Sequence, residues 1–198
     1  YLETYASSAS ELVTELLQYL GDNVELTSWE ATALLAGIAV DTKSFSYQTG
    51  VRTFEAAAFL RRSGADQETI QRFLQDDWVT FINRAEIIKG AEVFYGKVAV
   101  AMVPQEGEKA QLLAAQTADE LLTIEDFAAS FVIYPIAGGA AVSARTTGDI
   151  NVQVMMEQLG GGGHMTIAGA QLEGVTPAQA RERVLEVIHE YFAEEAGK

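Results

Sequence analysis

A run of four glycines is the feature that most restricts how this chain can fold. Residues 160–163 are all Gly, and His164 follows them directly. The flanking residues 154–156 and 165–168 are mostly apolar, whereas flexible linkers usually have Ser, Pro or charged neighbours. A buried glycine run lets the backbone approach another group closely, often an anion held by main-chain N–H groups. His164 would add a side-chain donor to such a site, while a linker or a helix C-cap is the alternative interpretation.

The pattern of apolar residues changes near Gly90. Before it, helical spacing and cap residues predict helices at about residues 28–40, 54–62, 67–74 and 78–89. After it, segments rich in Val, Tyr and Phe predict strands at 91–103, 130–134 and 140–145, with helices at 110–122, at 149–159 and from Pro177 onward. The sequence therefore predicts an α/β protein in which a helical portion, 1–90, precedes a compact α/β domain with a mixed sheet, 91–198.

Composition excludes several classes of function. Thirteen Lys and Arg against 28 Asp and Glu give a net charge of −15 without any basic stripe, which excludes extended binding to duplex nucleic acid. The chain has no Cys and two His, so disulfides, thiolate metal sites and sites built from several histidines are excluded. No apolar stretch reaches the ~18–20 residues that a membrane span needs. We therefore expect no membrane contact by this segment.

Arg145 is isolated in the second half of the chain. It is the only Lys or Arg between Lys109 and Arg181, and it follows Ser143 and Ala144 at the end of a predicted strand. A lone cation in an apolar neighbourhood needs an anionic partner. A ligand phosphate is one possibility, and an ordinary salt bridge to Asp149 or Glu157 is the other.

Asp41 follows the apolar run 33–40, which is predicted to be helical. A carboxylate at the negative end of a helix dipole is unfavourable by about 0.3–1 kcal/mol unless another group compensates for it. A metal ion would do so, although Asp is also common in capped loops. Arg52 lies near the same predicted loop, either in an ion pair or as a solvated surface residue.

Three segments together resemble the DHH/DHHA1 phosphoesterase superfamily. Residues 161–169, Gly-Gly-Gly-His-Met-Thr-Ile-Ala-Gly, resemble the GGGHxxAAG signature of the DHHA1 domain and differ from it at Ile167. Residues 36–42 with Phe45 resemble the last motif of the DHH domain, and Ser143-Ala144-Arg145 resembles the Ser-x-Arg segment before the glycine loop. The resemblance covers the whole chain and is closest to membrane-anchored bacterial cyclic-di-AMP phosphodiesterases.

The resemblance implies a division of roles among the site residues. It implies that Asp41 is a ligand of a two-manganese centre, and that the substrate phosphate is bound by a larger group: Ser143, Arg145, Gly161, Gly162, Gly163 and His164. The family's His-x-x-x-Asp-x-Asp and Asp-His-His metal motifs do not occur in this sequence. One carboxylate cannot hold two Mn²⁺ ions, so we expect a C-terminal fragment, made of the end of a DHH domain and a DHHA1 domain, that is inactive alone.

The resemblance also implies a substrate and a location. The expected substrate is a cyclic dinucleotide or a short oligonucleotide, hydrolysed in the parent protein at the cytoplasmic side of the membrane. The alternatives are a nanoRNA or 3′-phosphoadenosine phosphate phosphatase of the same superfamily, and a non-catalytic nucleotide-binding module. A homodimer is a further expectation, since the helical portion alone should expose apolar surface.

Overall fold

The computed structural model describes residue 3 and residues 5–20, 25–104 and 106–196. The chain divides into two compact units, residues 1–76 and residues 77–198. The helix at residues 78–89 thus belongs to the second unit, whereas the sequence pattern placed a boundary near residue 90. None of the helices in the described ranges combines the length and the apolar character needed to cross a lipid bilayer.

The described part of the first unit is helical. It contains α1 (Ala9–Tyr19), α2 (Ser28–Asp41), α3 (Val51–Arg62) and α4 (Gln67–Phe73). The capping box predicted at the start of α2 is present, because Thr27 accepts from the Glu30 N–H and the Glu30 carboxylate accepts from the Thr27 N–H. The core consists of small and branched apolar residues: Ala31, Leu35, Ile38, Ala39, Ala56, Leu60, Ala65 and Ile70.

The second unit is an α/β domain. Its elements are α5 (Trp78–Lys89), β1 (Glu92–Phe94), β2 (Val98–Met102), α6 (Glu108–Leu121), β3 (Ala129–Ile136), β4 (Gly139–Thr146), α7 (Val152–Gln158), β5 (Gly162–Gly163), β6 (Ile167–Glu173) and α8 (Pro177–Ala196). The strands that the structure describes form one sheet in the order β1-β2-β3-β4-β6-β5. The pair β2–β3 is parallel and the other pairs are antiparallel, which confirms the predicted α/β class with a mixed sheet.

Two local predictions in the second unit were wrong, and one strand was missed. The single strand predicted at 91–103 is a hairpin, because Tyr95 and Gly96 adopt positive φ values of 54° and 69° that reverse the chain. The helix predicted from Asp149 begins at Val152, since the Asn151 side chain accepts from the N–H groups of Gln153 and Val154. Strand β6 was not predicted.

The two faces of the sheet are covered differently near β6. Helix α6 packs on the face that carries Val132, Tyr134 and Ala141. Helices α7 and α8 pack on the opposite face, which includes Ala168 and other alternate residues of β6. The remaining β6 side chains point to the α6 face but are not covered by α6, and Ile167 is 45% exposed. An open strip of sheet therefore lies beside α6.

Candidate anion-binding site

The glycine run ends α7 and enters the last strand of the sheet. Gly160 has a φ of 78°, a left-handed conformation that suits Gly after a helix. The Gly161 N–H donates to the Met156 carbonyl at 2.8 Å, so the run is attached to the end of α7. The interpretation as a helix end is correct for these two positions. The hydrogen of the Gly161 amide is thus already donated within the chain, and the role of this amide in phosphate binding stays a prediction.

Close backbone approach explains two other features of the run. A Cβ added to Gly161 would lie 2.6 Å from the Ala170 Cα, and one added to Gly163 would lie 2.6 Å from the Ala168 Cα. The close approach is therefore to the chain's own strand β6. A Cβ added to Gly162 would meet nothing within 4 Å. Two glycines are required for strand packing, whereas Gly162 faces open space.

The hydrogen-bond pattern distinguishes the amides of the run. His164 and Ile167 exchange both backbone bonds, with His164 N to Ile167 O at 2.7 Å and Ile167 N to His164 O at 3.2 Å. Antiparallel pairs alternate between bonded and non-bonded types, so the next pair, Gly163 with Ala168, is a non-bonded one. The Gly163 N–H consequently points away from β6, toward the open edge of the sheet. It is the amide of the run that is best placed to meet a ligand.

Arg145 and His164 lie in one row across the sheet. Arg145 is the register partner of Ile167 on β6, and Ile167 is paired with His164 on the other side. Two strand spacings separate the Cα atoms of Arg145 and His164 by about 10 Å. His164 is exposed, whereas the Arg145 side chain is only 14% exposed. The fold thus places both predicted phosphate ligands in one row of the sheet, with Arg145 on β4 and His164 just after β5, on opposite sides of β6.

The Arg145 guanidinium is held on two sides. Its Nη1 donates to the Ser143 hydroxyl at 3.1 Å and to the Ala144 carbonyl at 2.9 Å. Its Nε lies 3.5 Å from Oδ1 of Asp119 on α6, and this buried nitrogen has no hydrogen-bond partner among the described residues. The predicted salt bridge exists, but its partner is Asp119 rather than Asp149 or Glu157.

Tyr134 extends the polar surface between α6 and β4. It is on the α6 face of β3, and only 7% of its surface is exposed. Burial raises the pKa of the Tyr134 hydroxyl, and the positive charge of Arg145 partly opposes that effect. The hydroxyl therefore stays protonated at neutral pH and can donate a hydrogen bond. Sequence reasoning did not identify Tyr134. It also did not identify Asp119, because only the packing of α6 on the sheet brings that residue to Arg145.

Asp41 ends α2, as predicted, and its side chain is exposed. The following turn is organised by Thr42, which is fully buried. The Thr42 hydroxyl donates to the Ile38 carbonyl at 2.6 Å and accepts from the Phe45 N–H at 3.0 Å. Lys43, Ser44 and Phe45 all have left-handed φ values, between 47° and 66°. The loop geometry thus depends on Thr42 and leaves the Asp41 carboxylate directed to solvent.

The described residues do not provide a complete metal site. Among them, no group of three or more His, Asp or Glu side chains is placed so that it could hold a metal ion. Divalent cations such as Mn²⁺ need several oxygen or imidazole ligands. The described side chains therefore do not by themselves complete a two-metal centre.

Comparison with known proteins identifies the family. The model of the DHHA1 domain matches residues 95–194. This chain belongs to the DHHA1 domain family. The match lies within the second unit and includes β2, β4 and the glycine run, so the candidate site is part of the DHHA1 domain.

This DHHA1 domain protein is similar in sequence to two named phosphodiesterases and similar in fold to one solved structure. The cyclic-di-AMP phosphodiesterase GdpP of Geobacillus thermodenitrificans is 51% identical over 199 residues, which cover 100% of this chain and 30% of that protein. GdpP of Bacillus subtilis is 46% identical over 195 residues, which cover 97% of this chain and 30% of that protein. An exopolyphosphatase-related protein from Bacteroides fragilis has the same fold, with a TM-score of 0.80 at 18% identity over 96% of this chain and 57% of that one. The chain therefore spans about a third of the length of these curated relatives.

Proposed function

We propose that this chain is the C-terminal, substrate-binding part of a cyclic-di-AMP phosphodiesterase. The observation that carries the proposal is that Arg145 and His164 lie in one row of the sheet on either side of β6, with the Gly163 N–H beside His164 at the sheet edge. These groups provide a cation, an imidazole and a backbone donor, a combination that suits a phosphate oxygen. The identity of 51% to a cyclic-di-AMP phosphodiesterase over the whole chain supports this substrate class.

In this proposal the chain binds and orients the substrate. Arg145 would pair with one phosphate oxygen through Nη2, which has no hydrogen-bond partner within the described part of the chain. His164 and the Gly163 N–H would contact the substrate at the sheet edge beyond β6, and Ser143 would keep the guanidinium in place. Fixing the phosphate in this way would orient it for in-line attack by water, which opens the cyclic dinucleotide to linear pApA.

The hydrolytic step requires the rest of the protein. A two-manganese centre would activate the attacking water and stabilise charge at phosphorus. Asp41 would be one of its ligands, and the others would come from outside this sequence. The parent protein would be anchored at the cytoplasmic side of the membrane and would act as a homodimer. The 198-residue chain alone should show no Mn²⁺-dependent turnover of cyclic-di-AMP, and measurable hydrolysis by the pure chain would refute this assignment.

Calorimetry with nucleotides tests the binding role. We expect the chain to bind linear pApA and cyclic-di-AMP, and we expect Arg145→Ala to weaken both at least tenfold, as loss of a charge-assisted pair should do. Arg72→Ala is the matched control, because Arg72 is an exposed residue that pairs with Glu68 on α4. Equal affinities of wild type and Arg145→Ala would contradict the proposal. Clear preference for a short oligoribonucleotide or for 3′-phosphoadenosine phosphate would favour the phosphatase of the same superfamily.

A further inference from the structure

Asp119 faces Arg145 from a different element of the fold. Its Oδ1 is 3.5 Å from the Arg145 Nε, within ion-pair range but long for a hydrogen bond. The Nε is buried and lacks a hydrogen-bond partner in the described ranges. The Asp119 carboxylate therefore stabilises the Arg145 guanidinium through its charge. A small displacement of either side chain would bring the two atoms within hydrogen-bond distance.

The backbone fixes where Asp119 stands relative to Arg145. Ser130 on β3 is the register partner of Arg145 on β4. The fully buried Ser130 hydroxyl donates to the Ala118 carbonyl at 2.7 Å, which attaches α6 to β3 one residue before Asp119. Residues of β4 and α6 thus contact the guanidinium, and the bond from Ser130 fixes α6 on the sheet beside it. A side chain held in this way is preorganised, since its orientation is set before any ligand arrives.

We propose that Asp119 is a positioning residue that orients Arg145 toward a phosphate oxygen of the bound dinucleotide. This inference rests on the proposed function. Asp119 holds the Nε side of the guanidinium while Ser143 and the Ala144 carbonyl hold Nη1, so Nη2 is the nitrogen that meets the ligand. The carboxylate itself does not touch the nucleotide and acts through Arg145.

The negative charge of Asp119 allows a positioning role to be distinguished from direct electrostatic repulsion of the ligand. A carboxylate near a phosphate site repels the ligand, so its removal would tighten binding if charge were its main effect. If orientation is its main effect, its removal weakens binding, because the guanidinium is free to rotate away. The two mechanisms predict changes of opposite sign in the same variant.

A double-mutant cycle measured by calorimetry with linear pApA tests the inference. We expect Asp119→Ala to weaken binding about tenfold, in line with the effect of misplacing a positioned group. Asp119→Asn keeps an acceptor oxygen for Nε and should remain within about threefold of wild type. Asp126→Asn is the control for charge, because Asp126 is exposed and lies beyond the end of α6. In an Arg145→Ala background, Asp119→Ala should have no further effect.

The possible outcomes separate the inference from the function on which it rests. Unchanged or tighter binding by Asp119→Ala, or the same loss in the Arg145→Ala background, overturns the positioning role and leaves the nucleotide site intact. Lack of binding by the wild type overturns both. The Nε–H NMR signal of Arg145 in the nucleotide-free protein adds a direct readout, and we expect it to shift in Asp119→Ala and to stay unchanged in Asp126→Asn.

Discussion

The glycine run and the loop after α2 are held by different physical means. The glycine run keeps its shape through backbone bonds and through the absence of Cβ atoms where β6 comes close. The loop after Asp41 keeps its shape through one buried side chain, Thr42. A site built from the backbone is complete within its own domain, whereas a metal site built from carboxylates needs several side chains from different places. The glycine run thus keeps its shape within its own unit, whereas Asp41 has no set of further ligands among the described residues that would complete a metal site.

The largest effect expected from this comparison is on the stability of the glycine run. Gly161→Ala places a Cβ against the backbone of Gly169 and Ala170, which cannot move without disturbing β6. We expect the free energy of unfolding of the second unit to fall by about 3 kcal/mol or more. Gly162→Ala should change it by less than about 1 kcal/mol, because that position is open. Denaturant unfolding measures both, and equal losses would show that β6 does not constrain the run.

A smaller loss of stability is expected in the loop after α2. Thr42→Val removes both hydrogen bonds of a fully buried hydroxyl and should lower the free energy of unfolding of the first unit by about 1–2 kcal/mol. Asp41→Asn should leave it unchanged, since that side chain is exposed. If Asp41→Asn destabilised the protein as much as Thr42→Val, the loop would depend on Asp41 and the comparison would fail.

The sequence predicted features that depend on local signals better than contacts that depend on how distant elements pack. Cap residues and the apolar period predicted α2, α5 and α6 closely, because those signals are local. The glycine signature identified the DHHA1 family, which the family match confirms. Asp119 could not be predicted as the partner of Arg145, since the contact depends on how α6 packs on the sheet. The hairpin at Tyr95 and Gly96 was missed because a continuous run of β-forming residues conceals the turn.

His164 should contribute less to nucleotide binding than Arg145. Its side chain is exposed, so a hydrogen bond to phosphate competes with water, and His164→Ala should weaken binding of linear pApA about threefold to fivefold. His189→Ala is the matched control, because the His189 ring is hydrogen-bonded to the Tyr95 hydroxyl at 2.6 Å and lies on α8. If His164→Ala and His189→Ala bound linear pApA with equal affinity, His164 would not contribute to nucleotide binding.

Arg52 in the first unit and Arg145 in the second unit differ in how closely a carboxylate pairs with them. Arg52 donates to both carboxylate oxygens of Glu15, at 2.7 and 2.5 Å, whereas the carboxylate beside Arg145 stands 3.5 Å away. Arg52 is therefore already paired within its own unit, and its role there is structural. In the proposed function, Arg145 instead offers its Nη2 to the substrate phosphate.

The smallest expected effect is the pH dependence of the Arg52 pair. The hydrogen bond from Arg52 lowers the pKa of Glu15 below its ordinary value of 4.5. A carboxyl whose pKa is lower in the folded state stabilises the fold above its unfolded pKa, and the effect is lost as the pH falls through its folded pKa. The difference in melting temperature between wild type and Glu15→Gln should therefore be present at pH 7, begin to decrease near pH 4.5 and vanish once the pH is below the lowered pKa of the folded state. A difference that persisted in acid would show that the ion pair is not its source.

NMR titration of the amides with linear pApA tests the central account most directly. The account predicts saturable shifts at the Gly163 N–H and at the Arg145 side chain, with no comparable shift at the Gly161 N–H, which is already bonded to Met156. Equal shifts at Gly161 and Gly163, or shifts confined to residues away from β4 and β5, would contradict the proposal that these strands form a phosphate-binding surface.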